Sequence, residues 1–180
     1  MDASAVSRLR AARAGTGGVE RTAGFARGLR TAGHSPGGLL LVGTEAEEPW
    51  HLAAHLSDEA RWNGLPELVP TLVRHAPPPG APPHLAVGLA RLADVRRGET
   101  LFVVAPELPG EHLLERVSDV RRRGAVVMAL EAEDDSELAG LAHEGLVVPQ
   151  TVLPFDATGH LVSAAAGARE AKRRRLWGRR

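Results

Sequence analysis

The stretch that decides the fold runs from Gly38 to Trp62, GLLLVGTEAEEPWHLAAHLSDEARW. Four consecutive apolar residues, Leu39–Val42, are too short for a helix and sit between glycines, as a buried strand does. A short acidic turn follows. From Trp50 to Trp62 the spacing is helical, and His51, Ala54, His55 and Asp58 fall on one face. Strand, turn and helix in that order make the opening of a parallel α/β unit, in which ligands bind at the turn after a strand. A phosphate held there needs small residues and free N–H groups at the helix start. This turn offers Thr44, Glu45, Glu47, Glu48 and Pro49.

Outward from this segment the rhythm repeats. Further strands are expected at Thr71–Arg74, Leu101–Ala105, Ala125–Leu130 and Leu146–Val148. Helices are expected at 2–14, 18–32, His84–Val95, Glu111–Arg123, Ser136–His143 and from Phe155 to about Lys172. Leu113, Leu114, Val117 and Val120 give the Glu111 helix one apolar face. Gly15–Gly18, His34–Gly38 and the proline-rich Ala76–Pro83 are breaks. Continuous apolar strands alternating with amphipathic helices predict a three-layer α/β/α sandwich on a five-stranded parallel sheet. The expected division is 1–34 as N-terminal helices, 35–167 as the α/β domain and 168–180 as a basic tail.

Composition narrows the function classes. The chain has 180 residues, 43% hydrophobic but only 3% aromatic, so its core is built from Leu, Val and Ala. With no cysteine, disulfides and thiolate metal sites are excluded. No apolar run approaches the roughly 18–20 residues of a membrane span, and the arginine-rich start lacks the apolar segment of a secretory signal, so the expected location is cytoplasmic. The zero net charge conceals basic ends, +4 over 1–34 and +6 over 168–180, around an acidic body. The tail, with Leu176 and Trp177 set among arginines, reads either as a docking segment for nucleic acid, an anionic membrane or an acidic partner, or as a solvated helix end.

From Gly38 to Gly167 the pattern resembles the sugar isomerase (SIS) domain, most closely its phosphoheptose isomerase branch. That family has a strand, a GNGGSA-type turn and a helix near D-A-Q-H-F-A-A-E-L; here stand LLLVG, TEAEEP and WHLAAHL. Its second stretch is matched by RRGETLFVVAPELPGEHLLERVSDVRRRGAVVMALEAEDDSELAGLAHEGLVVP, and its closing helix by FDATGHLVSAAA. The resemblance implies a doubly wound sheet and a homo-oligomer, dimer or tetramer, with the N-terminal helices against neighbouring subunits. Its phosphate loops are degenerate here. The second reads Ala105-Pro106-Glu107-Leu108-Pro109-Gly110-Glu111, in which proline has no N–H to give and each carboxylate repels a phosphate. A ligand in the old pocket would meet Thr44, Glu47, Glu48, His51 and Glu107.

Some members of that branch resemble one another in a metal site. Laid on it, His51 takes the place of the ligand histidine of the H-x3-E helix, His55 of its glutamate, Val152 of the glutamine and His160 of the closing helix's second histidine, while Phe155 falls on that helix's first histidine. The resemblance thereby implies a zinc set of His51, His55 and His160 with one open position, which Glu47 or Glu48 could fill. The alternative is structural: two histidines four apart occur by chance in a chain with eight. His55 is the candidate general base. The leading expectation is a non-catalytic, homo-oligomeric binding or scaffold module that has lost its phosphosugar site. The alternative is a zinc-dependent isomerase-like enzyme. An open pocket lined by the histidines favours the enzyme or metal; a pocket filled by Trp50, Phe155 or proline favours the scaffold.

Overall fold

The computed structural model describes residues 18–32, 35–148 and 155–168. The expected helix at 2–14 and the basic tail beyond Ala168 lie outside the described residues. Five strands form one parallel sheet: β1 (Leu39–Val42), β2 (Pro70–Val73), β3 (Thr100–Ala105), β4 (Val126–Glu131) and β5 (Glu144–Val147). Among the described residues five α-helices accompany them: α1 (Gly18–Ala32), α2 (Trp50–Asn63), α3 (Glu111–Arg122), α4 (Glu137–Leu141) and α5 (Phe155–Gly167). The three-layer α/β expectation is met.

The strands read as continuous apolar runs because both faces of the sheet are covered. Within that run the period of two still operates. Leu39 and Leu41 pack with Phe102, Val104, Met128 and Leu130 on one face, beneath α1, α2 and α5. Leu40 and Val42 pack with Leu101, Val103, Val127 and Ala129 on the other, beneath α3 and α4. Phe25 of α1 meets Phe102 at 5.5 Å between ring centroids, tilted by 57°.

The helices obey their local chemistry. Leu52, Leu56 and Ala60 give α2 a buried stripe at four-residue spacing. Gly64 stops it in the left-handed conformation at φ 65°, its N–H returned to the Ala60 carbonyl. Ser136 caps α4, its hydroxyl accepting from the Ala139 N–H at 2.9 Å. The expected helix His84–Val95 is not formed. Its place is taken by two 3-10 segments, Pro83–Leu85 and Leu89–Asp94. Pro82 and Pro83 withhold two N–H donors at the start, and extended Gly88 separates the segments. The Phe155 helix ends at Gly167 rather than near Lys172, and β5 begins two residues earlier than expected.

Strand order is β2-β1-β3-β4-β5. The chain leaves β1 towards β2, then crosses back to lay β3 on the other side of β1. The direction of winding therefore reverses between β1 and β3, which opens a crevice beyond their carboxyl ends. There lie the acidic turn after Val42 and the Pro106-Glu107 turn after Ala105.

Candidate metal-binding pocket

Gly43 sets the path of the first turn. A Cβ there would stand 1.9 Å from the Glu47 carbonyl oxygen and 2.6 Å from Pro49 Cδ, so the turn closes back on a position only glycine can occupy. Three interactions then hold the turn. His75 Nε2 lies 3.0 Å from the Gly43 carbonyl. Thr44 donates its hydroxyl to Glu107 Oε1 and accepts from the Glu47 N–H at 3.2 Å. Arg74, just past β2, donates from Nε and Nη2 to the two carboxylate oxygens of Glu48, each at 2.7 Å. The turn is thus tied down by its own bonds, and the charge of Glu48 is partly neutralised by Arg74.

Behind the turn α2 begins. Its first two turns carry His51 and His55 on one face, and the packing of α5 across α2 brings His160 to meet them. Ring centroids are 4.9 Å apart for His51 and His55, 5.0 Å for His51 and His160, and 4.0 Å for His55 and His160. One ring nitrogen from each can be chosen so that all three lie within 4.8 Å of one another. Tetrahedral zinc with N ligands at about 2.0–2.1 Å needs them roughly 3.3 Å apart. Side-chain rotation of about an ångström supplies the difference, so the residues fit a zinc-class ion.

Electrostatics agrees with that fit. Burial lowers the pKa of His55, and His51 beside it lowers it further, against an opposing pull from Asp58. Burial likewise lowers that of His160, with His55 and His51 adding to it and Asp156 opposing. Both imidazoles are therefore neutral at pH 7, the state that coordinates a metal.

The triad lies on a pocket of about 100 Å³ whose lining includes Trp50, Val104, Leu130, Phe155 and Gly159. Trp50 stacks on the His51 ring at 5.2 Å and 26° and is 63% exposed. It stands at the rim and does not fill the cavity. Among the described residues the charged lining groups are Glu47, Glu48 and Asp156, and no arginine is among them. Of the residues expected from sequence, Glu47, Glu48, His51, His55 and His160 come together on the lining. Thr44 and Glu107 do not line it and bind each other instead. Val152 lies outside the described residues.

Sequence reasoning passed over three contributors. Arg74 and His75 reach the turn through the β1–β2 register, which places them beside residues some thirty positions earlier. Asp156 reaches the rim through the docking of α5. Trp50 did carry a signal, as an aromatic residue next to His51 at the start of the helix after the turn. His143, by contrast, is structural: its Nδ1 accepts from the Val127 N–H at 3.0 Å, and its own N–H donates to the Val127 carbonyl at 2.8 Å.

No family model and no curated protein matches the sequence. Solved structures do. One, described as a phosphosugar isomerase from Silicibacter pomeroyi DSS-3, superposes with a TM-score of 0.56 at 18% identity over 90% of this chain and 49% of its own. Another, described as a sugar-binding protein from Salmonella typhimurium LT2, gives 0.56 at 15% identity over 90% and 46%. The chain spans about half the length of these structures. At such identities the likeness is one of fold, and the chain shares the α/β fold of these proteins.

Proposed function

We propose that this chain is an SIS-like domain that holds a zinc-class divalent ion on His51, His55 and His160 and binds a small oxygen-bearing ligand at the ion's open position. One observation carries the reading: three imidazoles from two helices, nitrogens within 4.8 Å, on an open pocket at the carboxyl end of the sheet. The solved structures described as a phosphosugar isomerase and a sugar-binding protein support a sugar or related polyol as the ligand class. Bound there, the ion would polarise a carbonyl or hydroxyl oxygen. In this reading His55 is a ligand and not a free base, because its imidazole is committed to the ion.

A second reading, the non-catalytic scaffold, is favoured by the Thr44–Glu107 bond, which ties the two former phosphate loops together. In either reading the chain acts as a homo-oligomer, dimer or tetramer, and residues 168–180 dock an acidic partner, nucleic acid or an anionic membrane.

Titration of chelator-stripped protein with zinc chloride in a calorimeter separates the two. One ion per chain, with at least a tenfold loss of affinity in His51→Ala and in His160→Ala, is the expected result. Absence of stoichiometric uptake overturns the metal reading and leaves the scaffold.

A further inference from the structure

Charge, volume and the rim of the pocket restrict the ligand further. Among the described residues the charged side chains on its lining are all carboxylates: Glu47, Glu48 and Asp156. The nearest cation, Arg74, already gives Nε and Nη2 to Glu48. Part of the turn's donor set is already committed. The Glu47 N–H goes to Thr44, the Trp50 N–H goes to the Glu48 carbonyl at 2.8 Å, and Pro49 has none. A phosphoryl group on the ligand would meet repulsion from the rim with no arginine to offset it.

Size and shape set the remainder. The cavity, about 100 Å³ and open on one side, has room for a small polyhydroxylated ligand. Trp50 presents a broad aromatic face at the rim, held in place by its stack on His51. Such a face covers the apolar C–H side of a sugar while the hydroxyls turn to polar partners. The histidine triad shares that lining, and its ring nitrogens are the polar partners for oxygen atoms.

We infer that the pocket takes a small unphosphorylated sugar, its oxygen atoms towards the histidine triad and its carbon face against Trp50. This rests on the metal-centre reading for its polar half and on Trp50 and the acidic rim for the rest. Glu47, exposed at the end of the turn, accepts from an outer hydroxyl.

The test uses the full chain, zinc-loaded, with zinc counted separately by elemental analysis. D-Erythrose, D-ribose, D-ribulose and D-ribose 5-phosphate are titrated calorimetrically and by tryptophan fluorescence. At least one free sugar is expected to bind tenfold or more tightly than D-ribose 5-phosphate. Trp50→Ala is expected to weaken that sugar tenfold or more at unchanged zinc stoichiometry, and Trp50→Phe to keep most of the affinity. Equal or tighter binding of D-ribose 5-phosphate, no binding of any free sugar, or undiminished affinity in Trp50→Ala overturns the inference. Should zinc fail to bind, the same titration on metal-free protein decides separately. Sugar selectivity dependent on Trp50 keeps the ligand class and discards the metal; no binding discards both.

Discussion

Glu48 and Arg74 face each other fork to fork, with Nε and Nη2 of the arginine each 2.7 Å from a carboxylate oxygen. The pair fastens an acidic turn after β1 to the end of the neighbouring strand. Two parallel bonds fix orientation as well as distance. Together with the His75–Gly43 contact, they hold the wall of the pocket.

Removing that clasp loosens the turn without unfolding the sheet. In Arg74→Ala, amide hydrogen exchange at Glu47 is expected to quicken severalfold, while exchange in β3 and β4 stays at the wild-type rate. High salt is expected to reproduce part of the effect in the wild type, because the pair is partly exposed. Unchanged exchange at Glu47 would refute the role of the pair.

Gly43→Ala places a methyl carbon where the Glu47 carbonyl and Pro49 ring already are. The turn must move, at an expected loss of about 1–3 kcal/mol in urea denaturation. Zinc affinity is expected to fall with it, because Pro49 leads directly into the helix that carries His51 and His55.

Acid stability of the metal-free protein is set in part by the triad. Burial and mutual repulsion keep His55 and His160 neutral in the fold, whereas the unfolded chain protonates them near pH 6.5. The unfolded state therefore binds more protons around and below that point, and stability falls as pH drops below about 7. His55→Gln and His160→Gln are each expected to flatten this slope in thermal melts. An unchanged slope in both would place the acid sensitivity elsewhere. Zinc affinity is expected to fall over the same interval as protons compete for the nitrogens.

Glu131 ends β4 at 2% exposure, with Oε2 accepting from Ser136 and Oε1 unpartnered. Burial raises its pKa, Asp134 adding to the shift and Ser136 opposing it. The unfolded carboxyl ionises first, near pH 4.3, so stability is lost as pH rises from there towards the folded value. Glu131→Gln is expected to stabilise the protein by about 1 kcal/mol at pH 7, with the gain shrinking at pH 4. Chemical denaturation at the two pH values checks it.

What the sequence disclosed follows from how local each signal is. Leu39–Val42 was legible to the residue, because an apolar run between Gly38 and Gly43 has no other use. The other four strands were legible to within one or two residues. His51 and His55 were legible from spacing alone, and His160 joined them only through the resemblance. The segment His84–Val95 deceived, since its apolar spacing is helical while Pro82, Pro83 and Gly88 govern its backbone. Arg74 on Glu48, His75 on Gly43 and the buried Glu131 depend on strand register and on packing around the ends of strands. No window of the sequence contains that information.

His51 and His55 belong to α2, and His160 to α5, roughly a hundred residues later. An ion shared by them would act as a removable staple across the chain, tying its last described helix to its first strand–helix unit and closing a long loop of the unfolded chain. Occupancy would then be felt far from the pocket. Emptying the site would leave α5 held by its buried face and by the Arg30 bond to the Ala168 carbonyl, and this helix would loosen earlier on heating than it does with the ion bound.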